Sequence, residues 1–569
     1  MRTICNPLNI RYMHQHDIEG GKTSIFREMA DPSLVLFKGR YFLFASMTKG
    51  FYHSDDLVRW EYKETLELPP CDYAPDAREI DGSLYVCAGS WVKNYFYRSE
   101  DPLRIPFERI PTSLSFLDPN LFQDDDGRVY LYYGSSDRTP IWGVELDRKT
   151  MEPIGEKTAL IEGRPESHGW ERCAENNDLR LQVKSPHLTG GPFIEGAWMT
   201  KHGGKYYLQY SAPHTAYNVY SDGVYTSDKP LGPFTYAAHN PVSSKPGGFI
   251  TGAGHGSTFC DKFGNWWHIA TMRISVNHMF ERRIGLFPAG FDQDGVFFVN
   301  QRLADYPISV PPSKREPWEA SAGWMLLSYK KHVTASSHAN GCGPENAVNE
   351  DARDYWMAAD PSPGQHITVD LSVEMDVFAV QLNLGDHQIA PQGIPEEKFE
   401  QVFSKRFIDI GCPAAEFMVE ASKDGITWEI LKDTRGSLDD HNHEYIELEQ
   451  SKKIRFVRCV GLRMPYGMPF TVSGLRIFGK GCGQLPAKAS ASGRMSGELD
   501  AAISWEAAKG AIGYNVSYGI EKDKLYSCWT LYEKTHLSLG MLSKGQRYYA
   551  QVDSFNENGT TPGDVFEIL

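Results

Sequence analysis

Five times along the first half of the chain, a glycine opens a short run of aromatic and aliphatic residues, and each run predicts a strand entered through a tight turn. The runs are Gly39-Arg-Tyr-Phe-Leu-Phe, Gly82-Ser-Leu-Tyr-Val, Gly127-Arg-Val-Tyr-Leu-Tyr, Gly204-Lys-Tyr-Tyr-Leu and Gly264-Asn-Trp-Trp-His-Ile. Upstream of each glycine, by six to nine residues, stands an ionisable side chain: Asp31, Asp76, Asp118, Glu195 and His255 in turn. The first three glycines are spaced by about 45 residues, the length of a four-stranded propeller blade, and the later, longer intervals hold insertions. A blade cannot bury both faces alone, so five of them predict a closed toroid whose innermost strands line a channel. Equivalent positions on those strands converge there. The insertion at 161–191, with His168-Gly-Trp-Glu-Arg-Cys173, predicts a loop over one face.

The pattern stops after Asp294-Gly-Val-Phe-Phe-Val299, and Pro311-Pro-Ser-Lys-Arg-Glu-Pro317 reads as an exposed linker. Beyond it, alternating segments such as His366-Ile-Thr-Val-Asp-Leu371, Phe417-Met-Val-Glu-Ala-Ser422 and Ile454-Arg-Phe-Val-Arg458 predict a β-sandwich. Small polar residues from Ser490 to Gly497 separate it from a last group of strands around Ile503-Ser-Trp505, Tyr514-Asn-Val-Ser-Tyr518 and Tyr548-Tyr-Ala-Gln-Val552. The expected fold class is all-β: a five-bladed propeller over 1–314, a sandwich over 315–483 and a smaller sandwich over 484–569.

Composition narrows the partners. Aromatics at 12% and 52 glycines suit short strands and turns. A net charge of -15 argues against nucleic acid or an anionic membrane surface as partner and favours a neutral oligosaccharide or polysaccharide. No run approaches the roughly 18 apolar residues of a membrane span. The start, Met1-Arg-Thr-Ile-Cys-Asn-Pro7, has no apolar leader core, so the expected location is cytoplasmic, or secreted where a leader has been removed. Ten cysteines without a CxxC predict buried thiols rather than a zinc ribbon or a disulfide scaffold.

Asp31, Asp118 and Glu195 carry the candidate chemistry. Inverting glycoside hydrolysis needs a carboxylate base to activate water and a protonated carboxylic acid on the opposite face of the sugar, about 6.5–9.5 Å apart. A third carboxylate nearby raises the acid's pKa electrostatically. Asp-Pro at 31 and 118 could simply open strands, since both residues favour turns, but Glu195 has no such preference and the recurrence across blades points to a site.

Together with Tyr73-Ala-Pro-Asp76, Glu195-Gly-Ala-Trp198, Gly254-His255-Gly-Ser257 and Arg282 before Pro288, these motifs resemble glycoside hydrolase family 43, inverting enzymes on five-bladed propellers. The resemblance covers roughly residues 5–310. It implies Asp31 as general base, Glu195 as general acid and Asp118 as the residue that tunes and orients the acid. It also implies Arg282 as a contact in the first sugar subsite, with Tyr73, Asp76 and His255 lining the channel or touching the sugar. Asp76 is open to the plainer reading of a strand-opening residue. No cofactor is expected to be required. In similar propellers a hydrated calcium ion is sometimes held near the histidine equivalent to His255, and that role is left open because one imidazole does not define a hard-cation site.

The implied activity is release of arabinofuranosyl or xylosyl units from plant-cell-wall oligosaccharides, as in xylan degradation. The alternatives are a β-galactosidase of the same family, a glycan-binding propeller or a phosphorolytic one. The middle segment resembles the discoidin, or coagulation factor 5/8 C-terminal, type of sandwich, through Val333-Thr-Ala-Ser-Ser337, Tyr355-Trp356, Ser422-Lys-Asp-Gly425 with Trp428, and Arg455-Phe-Val-Arg458. That group includes carbohydrate-binding modules, and its members often tie their ends with a disulfide; Cys342 and Cys482 lie near the two ends here. The last segment resembles a fibronectin type III module, with Leu542, Gly545 and Tyr548 spaced like its tyrosine corner. Three other signals fall away. Gly20-Gly-Lys-Thr23 lacks the first glycine of a phosphate loop, Asp124-Asp-Asp-Gly127 predicts a hairpin turn, and His441-Asn-His-Glu444 predicts a solvated loop.

Overall fold

The computed structural model, which describes residues 2–182, 191–402 and 404–569, is built almost entirely of strands. The rest of the predicted insertion at 161–191, residues 183–190, lies outside the described residues. Five four-stranded antiparallel sheets follow one another along the chain, over 30–64, 73–111, 120–161, 195–236 and 251–299. Each has a predicted run as its second strand: Arg40–Ser46, Ser83–Gly89, Val129–Tyr133, Lys205–Ala212 and Trp266–Arg273. The glycines that open them sit at φ between +77° and +84°, a conformation that side chains with a Cβ avoid. Thr3–Ile4 pairs with Ile308–Ser309 and fastens the start of the chain to the strand beyond the fifth sheet.

The inner strands repeat a second device. Register shifts at Ala30/Ser33, Tyr73/Asp76, Glu195/Trp198 and Gly254/Ser257 mark a bulge in four of the five. A residue with left-handed backbone stands at each: Asp31 (φ +53°), Ala74 (+49°), Gly196 (+64°) and His255 (+49°), with Asp118 (+47°) at the same place ahead of the third inner strand. Few non-glycine residues adopt this conformation, and a bulge re-aims the side chain it carries.

Aligned on these residues, the blades are clamped by the position two further on. Ser33 Oγ accepts from Ala77 N (2.9 Å), Asp76 Oδ2 from Leu121 N (2.7 Å), Asn120 Oδ1 from Met199 N (2.7 Å) and Ser257 Oγ from Leu34 N (3.2 Å). Between the fourth and fifth blades the polarity reverses, and the Trp198 indole donates to Thr258 O (3.0 Å). The hydrogen bonds close a ring of five. Outside it, the aromatic runs pack between neighbouring sheets, as in the cluster of Tyr41, Leu43, Trp267 and Ile269 joining the first and fifth.

Beyond the propeller along the chain, one sheet is dominated by two long strands, His366–Leu384 and His443–Arg463, flanked by Thr471–Lys480 and Glu416–Ser422. The last sheet centres on Gly513–Gly519 and Tyr548–Asn556. All ten cysteines are free thiols, Cys342 and Cys482 included. Among the described residues, no helix is long and apolar enough to cross a membrane.

Three local expectations change. The segment 161–182 does not lie loose over a face: Trp170 is fully buried, Gly169 N donates to Leu542 O (2.8 Å) and Arg172 pairs with Asp500 (2.6 Å), which seats the last sheet on the third and fourth blades. The stretch around His443 is not a solvated loop. Asp440 and His443 are buried, Asp440 pairs with Arg27, and His443 Nδ1 faces Asn383 Oδ1 (2.7 Å). Finally, an unforeseen sheet joins the N-terminal hairpin Met13–Glu19 and Lys22–Glu28 to Glu400–Gln401 and Lys405–Asp409, far along the chain.

Candidate active site

At the mouth of the ring lies a cavity of about 260 Å³. Its wall includes Asp31, Tyr73, Asp118, Glu195, His255 and Arg282, so six of the seven expected site residues come together. Its size lies just below the usual range of ligand sites, about 300–1,000 Å³. Such a space suits one sugar ring better than an extended chain. Trp91, 53% exposed, stands on the rim, and Phe193 and Phe280 add apolar wall suited to a sugar's C–H face.

Asp76 is the exception. It is 1% exposed and absent from the cavity wall; its carboxylate takes Leu121 N, Asn120 Nδ2 (3.0 Å) and Ser33 Oγ (3.5 Å). Instead of touching a sugar it clamps two blades. The residue of the second blade equivalent to Asp31 is Ala74, which brings no chemistry.

Asp31 sits in a web of donors. Ser46 Oγ donates to Oδ2 (2.7 Å), and Arg282 reaches Oδ1 through Nη1 (3.0 Å) and Oδ2 through Nη2 (3.3 Å). His255 Nδ1 lies 3.4 Å from Oδ1. Burial works against ionisation of this carboxyl, but Arg282 and then His255 outweigh it and hold the pKa below the ordinary value. Asp31 is therefore a carboxylate at neutral pH.

Asp118 behaves oppositely. Burial drives its pKa up to about 7; His255 opposes the rise, while the negative charges of Glu195 and Asp31 add to it. Glu195 has each oxygen occupied by a donor, Oε2 by Ser135 Oγ (2.9 Å) and Oε1 by Tyr220 OH (2.7 Å). His255 is squeezed between acids: burial disfavours its charge, but Asp31, Asp118 and Glu195 overcome this and raise its pKa.

Single ligand atoms of Asp118, Glu195 and His255 lie within 4.8 Å of one another. Each of the three offers one ligand atom, so a calcium ion held here would take most of its about six to eight oxygen ligands from water.

Several supporting residues escaped the sequence reading. Hydroxyls ending the second strands fix the left-handed residue of the next blade: Ser46 Oγ accepts from Ala74 N, Ser211 Oγ from His255 N and Thr271 Oγ1 from Asp31 N, each at 2.8 Å. The available signal was a serine or threonine closing an aromatic run, as in Phe44-Ala-Ser46 and Tyr210-Ser211. Glu28, whose Oε1 accepts from Arg282 (2.7 Å), lies outside every repeat and had no such signal.

A propeller with three acids around a sugar-sized cavity is the arrangement a glycosidase needs. The sequence signature of glycosyl hydrolases family 43 matches residues 25–297. A xylosidase/arabinosidase of Bacteroides ovatus is 28% identical over 257 residues, covering 37% of this chain and 76% of that protein. Xylosidase/arabinosidase 43A of Humicola insolens is 30% identical over 258 residues, covering 39% and 73%. Among solved structures, a thermostable family-43 glycoside hydrolase aligns with a TM-score of 0.41 at 24% identity, over 51% of this chain and 96% of that one. The chain belongs to glycosyl hydrolase family 43 and is a glycoside hydrolase.

Proposed function

We propose that the cavity removes single arabinofuranosyl or xylosyl units from plant-cell-wall oligosaccharides by one-step inversion. Asp31 takes a proton from water, the water oxygen bonds to the anomeric carbon, and Glu195 gives its proton to the departing glycosidic oxygen. Asp31 ends protonated and Glu195 ionised, and proton exchange with solvent restores both. Asp118 and Glu195 each disfavour the other's ionised form, so the pair retains a proton before the bond breaks. The observation that carries the reading is the contrast between Asp31, held ionised by Arg282, and Asp118, driven toward its neutral form in the same cavity.

The choice of sugar draws on the relatives' names, xylosidase/arabinosidase in two organisms, and on a cavity sized for one ring. A phosphorolytic reading is disfavoured because the two adjacent guanidinium groups are committed elsewhere. Arg282 is held by Asp31 and Glu28, and Arg283 turns to His443 Nε2 (2.8 Å) and Arg27 O (2.9 Å). For the rear segments, a discoidin-type sandwich that binds glycan and a fibronectin type III-type spacer remain the reading. The second is supported by Tyr548, whose hydroxyl accepts from Ser543 N (2.8 Å) as a tyrosine corner would.

The test is turnover of aryl arabinofuranosides and xylosides, with proton NMR of the first-formed anomer. Asp31→Asn and Glu195→Gln should each cut kcat by about 10²–10⁴-fold with the fold retained. Near-normal turnover in either variant, or a retained anomer, overturns the mechanism.

A further inference from the structure

We propose that Arg406, delivered by the strand Lys405–Asp409 from beyond the propeller in the sequence, is a positioning residue of the active site: it holds Glu28 so that Arg282 is committed to Asp31. The proposal rests on the reading of Asp31 as the base.

The contacts form an unbroken relay. Arg406 is wholly buried; its Nη1 donates to Glu28 Oε2 (3.0 Å), and its Nε to Ser404 Oγ (3.0 Å), with Asp17 Oδ2 at 3.3 Å. Glu28, also wholly buried, gives its other oxygen to Arg282 Nη2 (2.7 Å). Arg282 then spans both oxygens of Asp31. Glu28 is thus shared between two arginines, one oxygen to each.

Charge balance explains why the second arginine matters. Asp31 and Glu28 are buried carboxylates that both draw on Arg282, and a buried carboxylate without a compensating donor is strongly disfavoured. With Arg406 neutralised or shortened, Glu28 would pull Arg282 toward itself and away from Asp31. Asp17 cannot take over, being an acid that already faces His278 Nε2 (3.2 Å). Arg406 also buttresses the cavity wall, since Phe280 lies over the guanidinium groups of both Arg282 (5.0 Å) and Arg406 (5.7 Å). Its placement is set by backbone pairing of Arg406 with Asp17 in the sheet that unites the two ends of this region. The propeller sequence therefore does not carry its whole active site; one cation comes from more than a hundred residues past its last blade.

The experiment uses the full chain and an aryl glycoside that it turns over, comparing Arg406→Met, Arg406→Lys, Glu28→Gln and the double variant. Arg406→Met should lower kcat about 10–100-fold with KM within about threefold, the pattern of an interaction felt in the transition state. Arg406→Lys, which keeps the charge but not the fork, should fall between it and the wild type. Because Arg406 acts through Glu28, adding Arg406→Met to Glu28→Gln should change kcat by less than about threefold, a coupling that mere structural support does not produce. A wild-type kcat in Arg406→Met overturns the proposal, as does a tenfold further loss in the double variant. If Arg406→Met does not fold, the comparison between Glu28→Gln and the double variant decides alone, and failure of the double variant to fold where Glu28→Gln folds also counts against it. Asp31→Asn separates the two readings. Full activity there refutes the base, whereas an inactive Asp31→Asn beside a normal Arg406→Met refutes only this proposal.

Discussion

Ser46 Oγ donates to Asp31 Oδ2 at 2.7 Å while accepting the backbone N–H of Ala74 at 2.8 Å, so one hydroxyl orients the proposed base and ties the first blade to the second. Ser46→Ala removes a donor that stabilises ionised Asp31. The carboxyl pKa should rise, moving the acidic limb of kcat/KM to higher pH by about half a unit to one unit. Losing the acceptor for a buried N–H should also cost about 1–3 kcal/mol of stability. Urea unfolding and a pH–rate profile check the two effects separately.

Asp118 makes stability depend on pH in an unusual direction for a carboxylate. Its folded pKa, about 7, lies above the ordinary 3.8, so the folded state keeps a proton that the unfolded chain has released. That contribution is present in full below about pH 4 and is lost as pH rises through about 7. Asp118→Asn, which never ionises, should therefore gain on the wild type as pH increases. Thermal unfolding should place its Tm about 2–4 °C above the wild type at pH 8 and show a smaller difference at pH 5. A constant difference across the range would disprove the assignment.

Asp76→Ala tests a residue that was expected near the sugar and is found between blades. Removing its carboxylate strands Leu121 N and Asn120 Nδ2 in a buried seam. Stability should fall by about 2–4 kcal/mol, while kcat and KM of the folded enzyme stay within about twofold of wild type. A selective rise in KM without loss of stability would return Asp76 to the substrate.

Trp91 stands at the rim with about half of its surface open. Trp91→Ala should raise KM for an oligosaccharide about 5–10-fold through loss of stacking beyond the first ring, and change KM for a small aryl glycoside by less than about twofold. Parallel kinetics on the two substrates distinguish this from general damage to the cavity.

The blades were readable because glycine turns and aromatic second strands are local: each is set by a backbone conformation and a side-chain pattern within about ten residues. The inner strands were harder. Counting ionisable residues back from each glycine placed Asp76, six before Gly82, in line with Asp31, eight before Gly39, because the residue that does stand eight before Gly82 is the uncharged Ala74. Aligning the left-handed residues instead pairs Asp31 with Ala74 and turns Asp76 into a clamp. His443 and Asp440 read as polar and solvated, yet their partners, Asn383 and Arg27, come from distant strands that no local pattern connects to them. The same holds for Arg406 and Glu28, paired across 378 positions.

Because blade-to-blade clamping falls to the residue two positions beyond the left-handed one, the ring of clamps does not depend on the left-handed side chain. The five blades hold Asp, Ala, Asp, Gly and His in that place without disturbing the ring. Three of these places carry ionisable groups and two are blank, and the two blanks differ: a Cβ at Gly196 would meet Ser211 Oγ at 2.5 Å, whereas Ala74 already carries one. New chemistry could enter such a molecule at the Ala74 place, with the ring of clamps left as it is.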